Sequence, residues 1–206
     1  MAWTPSSMPE LGTSASDFSL PDAVGGGSRS LLQLRAEKAT VVMFLSNRSP
    51  CVRHIREALL KLAHDYRARG AAFIAINSGD AETYPEDAPE QMRAIALRHG
   101  FPFPYLYDES QDVARAYGAT CTPDFFVYDG RLRLAYRGRF DQARPDNDVP
   151  VSGRDLRAAV NALVSGKPVD PAQQPSLGCP IQWRVYQRPL GARTLGFLSQ
   201  TMEPWR

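Results

Sequence analysis

No apolar run in the 206-residue chain is long enough to cross a bilayer, and its first residues lack the basic-then-apolar pattern of a secretion signal. Neither a membrane span nor export is therefore expected. An excess of one charge is missing too. The 24 basic residues face 22 acidic ones, for a formal net charge of +2, and no strongly basic block occurs. Nucleic acid and anionic membranes thus lose their usual signature as partners. Cysteine is sparse: three thiols do not make a disulfide framework in a chain of this size, and the expected setting is cytoplasmic. His64 and His99 have no neighbouring ligand at metal spacing, and the acidic loop from Ser78 to Pro89 lacks an ordered ligand pattern. No metal and no cofactor is called for. No internal repeat occurs.

What is present suffices for one well-buried domain with extensions, since 43% of the residues are hydrophobic. The chain is organised around the stretch Phe44-Leu45-Ser46-Asn47-Arg48-Ser49-Pro50-Cys51-Val52-Arg53-His54. The apolar run Val41 to Leu45 before it reads as a buried strand. After it, apolar residues at Val52, Ile55, Leu59, Leu60, Leu62 and Tyr66 fit a helix reaching about Arg69. The stretch between is a tight turn that leaves a strand and opens a helix. Ser49 can cap that helix, and Pro50 suits its first turn, where a missing N–H costs nothing. The free N–H groups of a helix start favour an anion and would activate a thiolate placed there.

Taken in order, Leu11 to Pro21 reads as an extended segment, Gly25 to Ser28 as a flexible turn and Ser30 to Glu37 as a short helical turn or loop. The strand Thr40 to Leu45, the helix Pro50 to Arg69 closed by Gly70, and the strand Ala71 to Asn77 make a right-handed parallel unit. A helix over Ala88 to Arg98 ends at Gly100, a short strand covers Phe103 to Tyr107, and a short helix from Ser110 to Tyr117 ends at Gly118. Asp124 to Tyr128 and Leu132 to Arg137 form a hairpin about Asp129-Gly130, and the last clear helix runs from Ser152 to Ser165. Everything after Gly166 reads as loop. The expected division is an N-terminal arm over 1–10, a domain over 11–166 and a C-terminal extension over 167–206.

Several motifs along this path occur together in one family. The turn Ser46-Asn47-Arg48-Ser49-Pro50-Cys51-Val52 is similar to one that reads roughly Cys-Asn-His-Cys-Pro-Tyr-Val. With it come Ala75-Ile76-Asn77-Ser78, Tyr84-Pro85-Glu86-Asp87, the run from Phe103 to Glu109, and Tyr117-Gly118-Ala119-Thr120-Cys121-Thr122-Pro123-Asp124. Tyr136-Arg137-Gly138 with Phe140-Asp141, and the run from Pro175 to Ile181, complete the set. On these residues the chain resembles the thioredoxin-like redoxins of the AhpC/TSA type, more narrowly a bacterial branch of thioredoxin-family proteins. The resemblance covers about Leu11 to Trp183. It implies an α/β thioredoxin-like fold, with a central mixed sheet flanked by helices. It also implies thiol–disulfide exchange with a protein or peptide, or reduction of a peroxide.

The chain departs from the family where the chemistry lies. Ser46 and Ser49 occupy the two cysteine positions, by natural loss or by deliberate substitution. Serine is too weak a nucleophile at neutral pH to replace either thiol. A scaffold that is redox-inactive as written is the expected reading. Ser49 with His54 does not make a hydrolase: five residues of helix turn the two apart by about 500°, and no Gly-x-Ser-x-Gly elbow is present.

Three thiols remain. Cys51 is either a small buried hydrophobe or a displaced redox thiol. Cys121, beside the Thr122-Pro123 segment that resembles the family's cis-proline loop, is either a resolving thiol or a packing residue. It is expected near Cys51 without a stable bond. Cys179 either docks on the domain or pairs with another thiol. Thr122, Pro123, Arg48 and Pro50 are the expected substrate-binding residues. Pairing of an extended peptide with the edge at Thr122-Pro123 supports an alternative, a non-catalytic binding module. Arg48 and Arg53 would favour an anion or thiolate. The apolar residues of the tail, Leu190, Leu195, Phe197, Leu198, Met202 and Trp205, are expected to cover the domain or a partner subunit, so a homodimer is compatible with the sequence.

Overall fold

The computed structural model describes residues 3–184. The expected role of the apolar tail falls on 185–206, outside the described residues. Short strands β1 (Thr4–Pro5), β2 (Ser19–Pro21) and β3 (Ser28–Ser30) lead to the one-turn helix α1 (Leu31–Leu34). Then come β4 (Ala39–Phe44), α2 (Pro50–Arg67), β5 (Ala71–Asn77), α3 (Pro89–His99), β6 (Tyr105–Tyr107) and α4 (Asp112–Tyr117). The chain continues through β7 (Cys121–Thr122), β8 (Asp124–Asp129), β9 (Leu134–Gly138), α5 (Arg154–Val164) and β10 (Leu177–Pro180).

The main sheet has the order β6-β5-β4-β8-β9. Strands β6, β5 and β4 run parallel, and β8 and β9 run antiparallel to their neighbours. β4 is central and wholly buried, which explains its unbroken apolar run. Its side chains alternate between two cores. Val41 and Met43 pack with Ile55, Leu59 and Leu62 of α2 and with Leu156 and Val160 of α5. Val42 and Phe44 pack on the other face with Phe18, Leu31 and Tyr117. Phe44 meets Phe126 edge to face at 5.8 Å between ring centroids. Both cores clamp the strand that delivers the Ser46 turn. Among the described residues no helix is long and apolar enough to cross a membrane.

The helix starting at the turn is built as expected. Ser49 is its N-cap, accepting a hydrogen bond from the Val52 amide at 3.3 Å, and Pro50 fills the first position. The helix ends two residues early, at Arg67 with Ala68 as C-cap, and Gly70 (φ 89°) only turns the chain into β5. Gly100 and Gly118 close α3 and α4 in the left-handed conformation expected of C-terminal glycines. The β8–β9 hairpin differs from expectation. Asp129 Oδ1 accepts the amides of Arg131 (2.8 Å) and Arg133 (2.9 Å), and Leu132 takes the positive φ. A side-chain acceptor shapes this turn in place of a two-residue Asp-Gly loop.

The largest correction concerns the extension. Residues after Gly166 are not all loop: Leu177–Pro180 form β10, the middle strand of a second sheet ordered β1-β10-β7. The arm and the extension are therefore tied together and onto the domain. Thr4 pairs with Gly178, and Cys179 pairs with Thr122. No hydrophobic periodicity announces a four-residue strand containing Gly, Cys and Pro, which is why its pattern reads as loop.

Candidate functional site

Phe44 ends β4 between Ile76 of β5 and Asp124 of β8, so the turn emerges at the middle of the sheet's end. It opens on a cavity of about 330 Å³. The lining comes from Ser46, Arg48, Ser49, Pro50 and Arg53 on the turn and helix, Ser78, Gly79 and Asp87 on one flank, and Thr122 with Cys179–Gln182 on the other. Arg48 lies over the Tyr84 ring, 3.6 Å from its centroid, and its carbonyl accepts a hydrogen bond from Arg53 Nη2 at 3.0 Å. His54, His64 and His99 are all exposed on their helices, away from both serines.

Both serine hydroxyls are committed. Ser46 Oγ donates to Asp87 Oδ2 at 2.8 Å, and Ser49 Oγ donates to the Thr122 carbonyl at 3.1 Å. The Thr122 carbonyl is not a base for Ser49, and Asp87 is tied up by the Asn47 amide and Asn77 as well as by Ser46, so it holds the turn in place. Asp87 is the residue sequence reading missed. It is buried at 1% exposure and also accepts the Asn47 amide (2.7 Å) and Asn77 Nδ2 (2.8 Å) at Oδ1. Tyr105 in turn donates to Asn47 Oδ1 at 3.1 Å. The acidic loop from Ser78 to Pro89 thus sends one carboxylate under the turn as its keystone. The Asp, Glu and Pro of that loop look alike in sequence, and nothing there distinguishes Asp87 from its neighbours.

The Thr122–Pro123 peptide is cis. The edge beside it, expected to take an extended ligand, is already filled. β10 lies antiparallel to β7 there, with Cys179 opposite Thr122, Pro180 opposite Cys121, and the Ile181 amide donating to the Thr120 carbonyl at 3.0 Å. Gly178 permits the approach, since a Cβ at that position would stand 2.5 Å from the Thr122 carbonyl oxygen. The open edge required for a peptide-binding module is therefore occupied by the chain itself.

Of the alternatives open for Cys179, the structure places it beside another thiol. Cys51 has Cys179 as its sulfur neighbour, with Sγ–Sγ 3.8 Å. Cys121 is fully buried, its Sγ facing the Pro123 carbonyl at 3.9 Å, and it does not line the cavity. All three cysteines are free. Cys121 was expected near Cys51 without a bond, because the Thr122-Pro123 loop faces the turn; β10, paired with β7, brings Cys179 to the Cys51 sulfur as well. The run from Pro175 to Ile181 stands out in the sequence; its pairing with β7 does not.

Electrostatics separate the three. The hydrogen bond from the Cys51 thiol, with help from the Cys51 amide and the Arg48 charge, pulls the Cys179 thiol down to about 6 against the opposing effect of burial. The same contact with Cys179, together with burial, pushes Cys51 up. Burial, then the Asp124 carboxyl, push Cys121 up. Asp124 is itself buried, and burial raises its carboxyl to about 8. Its Oδ1 takes the Phe125 amide at 3.1 Å, whereas Oδ2 has no hydrogen-bond partner among the described residues.

The strand order, the helix opening at the Ser46–Ser49 turn and the segment at Thr122–Pro123 define a thioredoxin-like fold. Residues 11–137 match the model of the AhpC/TSA family, and the chain belongs to that family. An uncharacterized conserved protein from Geobacillus kaustophilus is similar at 48% identity and TM-score 0.87, over 89% of this chain and 97% of that one. A hypothetical protein from Sinorhizobium meliloti 1021 is similar at 52% identity and TM-score 0.85, over 88% and 98%. The peroxidoxin BcpB of Mycobacterium tuberculosis, 20% identical over 74% of this chain and 97% of its own with TM-score 0.58, shares the fold. No curated protein matches the chain.

Proposed function

We propose that this chain is a redoxin of the thiol–disulfide class whose inherited turn is chemically silent, with a protein or peptide thiol or disulfide as substrate in the cavity above it. Disulfide exchange is preferred over peroxide reduction on the resemblance of the turn to a Cys-x-x-Cys-Pro pattern, whose two cysteine positions are Ser46 and Ser49. One observation carries the reading: both hydroxyls of the turn are spent on structural hydrogen bonds, Ser46 to Asp87 and Ser49 to the Thr122 carbonyl. Arg48 and Arg53 at the cavity favour a substrate thiolate over a neutral group. Three free cysteines accord with a reducing, cytoplasmic setting.

The test isolates the turn. In a Cys51→Ala/Cys179→Ala background, disulfide-reductase turnover is compared with serines at 46 and 49 and with S46C/S49C. The serine form is expected to be inactive and the double-cysteine form active. Turnover by the serine form in that background would overturn the reading.

A further inference from the structure

We propose that Cys179 and Cys51 form a working dithiol displaced from the silent turn, with Cys179 attacking a substrate disulfide in the cavity and Cys51 resolving the product. The inference rests on the reading of the turn as silent, and it assigns the redox step to residues outside that turn.

The geometry assigns the order of attack. Cys179 is half-buried and lines the cavity of about 330 Å³, so a disulfide sulfur entering there can reach it. Cys51 is only 4% exposed and is not part of that lining. It sits behind Cys179, within 3.8 Å. A disulfide needs about 2.0 Å between sulfurs, so each side chain has to move by roughly 1 Å. The two thiols are carried by separately anchored elements. Cys51 is in the first turn of α2, where the amide is not used by the helix, and Cys179 is on a strand held from both sides by β1 and β7. The helix start and Arg48 favour negative charge on Cys179, which is the form that attacks.

The step balances. The Cys179 thiolate attacks one sulfur of a substrate R–S–S–R′. A Cys179–S–S–R bond forms, the substrate S–S bond breaks, and R′–S⁻ leaves. The departing thiolate takes the Cys51 proton. The Cys51 sulfur then attacks the Cys179 sulfur, the Cys51–Cys179 bond forms, and R–S⁻ leaves to be protonated by water. The substrate gains two electrons and the dithiol loses two. An external dithiol reductant, such as dithiothreitol in the assay, reverses the oxidation. The arrangement resembles a substrate strand and its enzyme folded into one chain, since β10 sits on the edge an extended partner would otherwise pair with.

The test uses the full chain. Reduced protein is mixed with bis(2-hydroxyethyl) disulfide, quenched by alkylation and mapped by peptide mass spectrometry. The expected product is a Cys51–Cys179 crosslink with Cys121 alkylated. In Cys51→Ser the expected product is a 2-mercaptoethanol adduct stable on Cys179, and Cys179→Ser is expected to lower dithiothreitol-coupled turnover at least tenfold. A crosslink to Cys121, or three alkylated thiols after complete mixing, would overturn the dithiol, and so would undiminished turnover in Cys179→Ser. The crosslink map needs no variant, so a variant that fails to fold does not decide the matter. Failure here leaves the silent turn standing. Turnover by the serine turn in the background lacking Cys51 and Cys179 would overturn the silent turn instead.

Discussion

The Ser46–Ser49 turn and the β10 strand face each other across one cavity and divide its properties. The turn has the position: it ends the central strand, opens the longest helix and is locked by Asp87 from below. It has no sulfur. The strand has a sulfur, half-buried and negatively biased, yet it comes from the far end of the chain and is held by only two short partners. The difference teaches that the field prepared by a helix start acts on whatever group is brought to it. A thiolate need not be part of the turn to be stabilised by it.

The comparison can be broken most severely from the turn's side. Asp87→Ala removes the acceptor of three buried donors, on Ser46, Asn47 and Asn77. At about 1–3 kcal/mol for an orphaned buried donor, a loss of about 3 kcal/mol is expected in urea unfolding. A loss under 1 kcal/mol would show that the carboxylate is not the keystone of the turn.

Breaking it from the strand's side is expected to be milder. Gly178→Ala places a methyl against the Thr122 carbonyl and pushes β10 outward. Overpacking of this kind costs about 1–3 kcal/mol. The decisive readout is the Cys51–Cys179 crosslink, which is expected to fall while the helical signal in circular dichroism persists.

Asp124 lies beneath both regions and tests their shared floor. Its carboxyl is raised to about 8 in the fold, against about 3.9 in the unfolded chain. Between those values the folded chain holds a proton that the unfolded chain has lost. Its stabilising contribution is therefore complete below the unfolded pKa and is lost as pH rises through about 8. Urea midpoints measured from pH 5 to pH 9 are expected to decline with pH, and Asp124→Asn is expected to flatten that decline.

The smallest effect sharpens the comparison. Ser49→Ala removes the N-cap of α2, worth about 1 kcal/mol, and the hydroxyl that ties the helix start to the Thr122 carbonyl opposite Cys179. The pH midpoint of Cys179 alkylation, expected at about 6 in the native chain, should move upward. An unchanged midpoint would show that turn and strand do not communicate through Ser49.

Much of the scaffold was legible because it is local. The unbroken apolar run before Ser46 marked a strand buried on both faces. The spacing of Val52, Ile55, Leu59 and Leu62 marked the helix, and Ser49-Pro50 its start. Gly100 and Gly118 marked the ends of two more. The hairpin was placed correctly, but its turn depends on a carboxylate accepting two amides, and composition does not distinguish that from an Asp-Gly turn. Asp87 was hidden for a similar reason: it is one acidic residue among several, and only its burial singles it out.

By itself, then, the sequence determined the elements of the main sheet and its helices, the place of the turn and the absence of cysteine from Ser46 and Ser49, because periodicity, caps and residue identity are properties of neighbouring residues. Tertiary structure alone decided that Cys179 stands 3.8 Å from Cys51, that β10 fills the edge at Thr122, and that Asp87 holds the turn. These contacts join residues separated by 128, 57 and 40 positions, and such contacts form only when the packed sheet brings distant segments to one end.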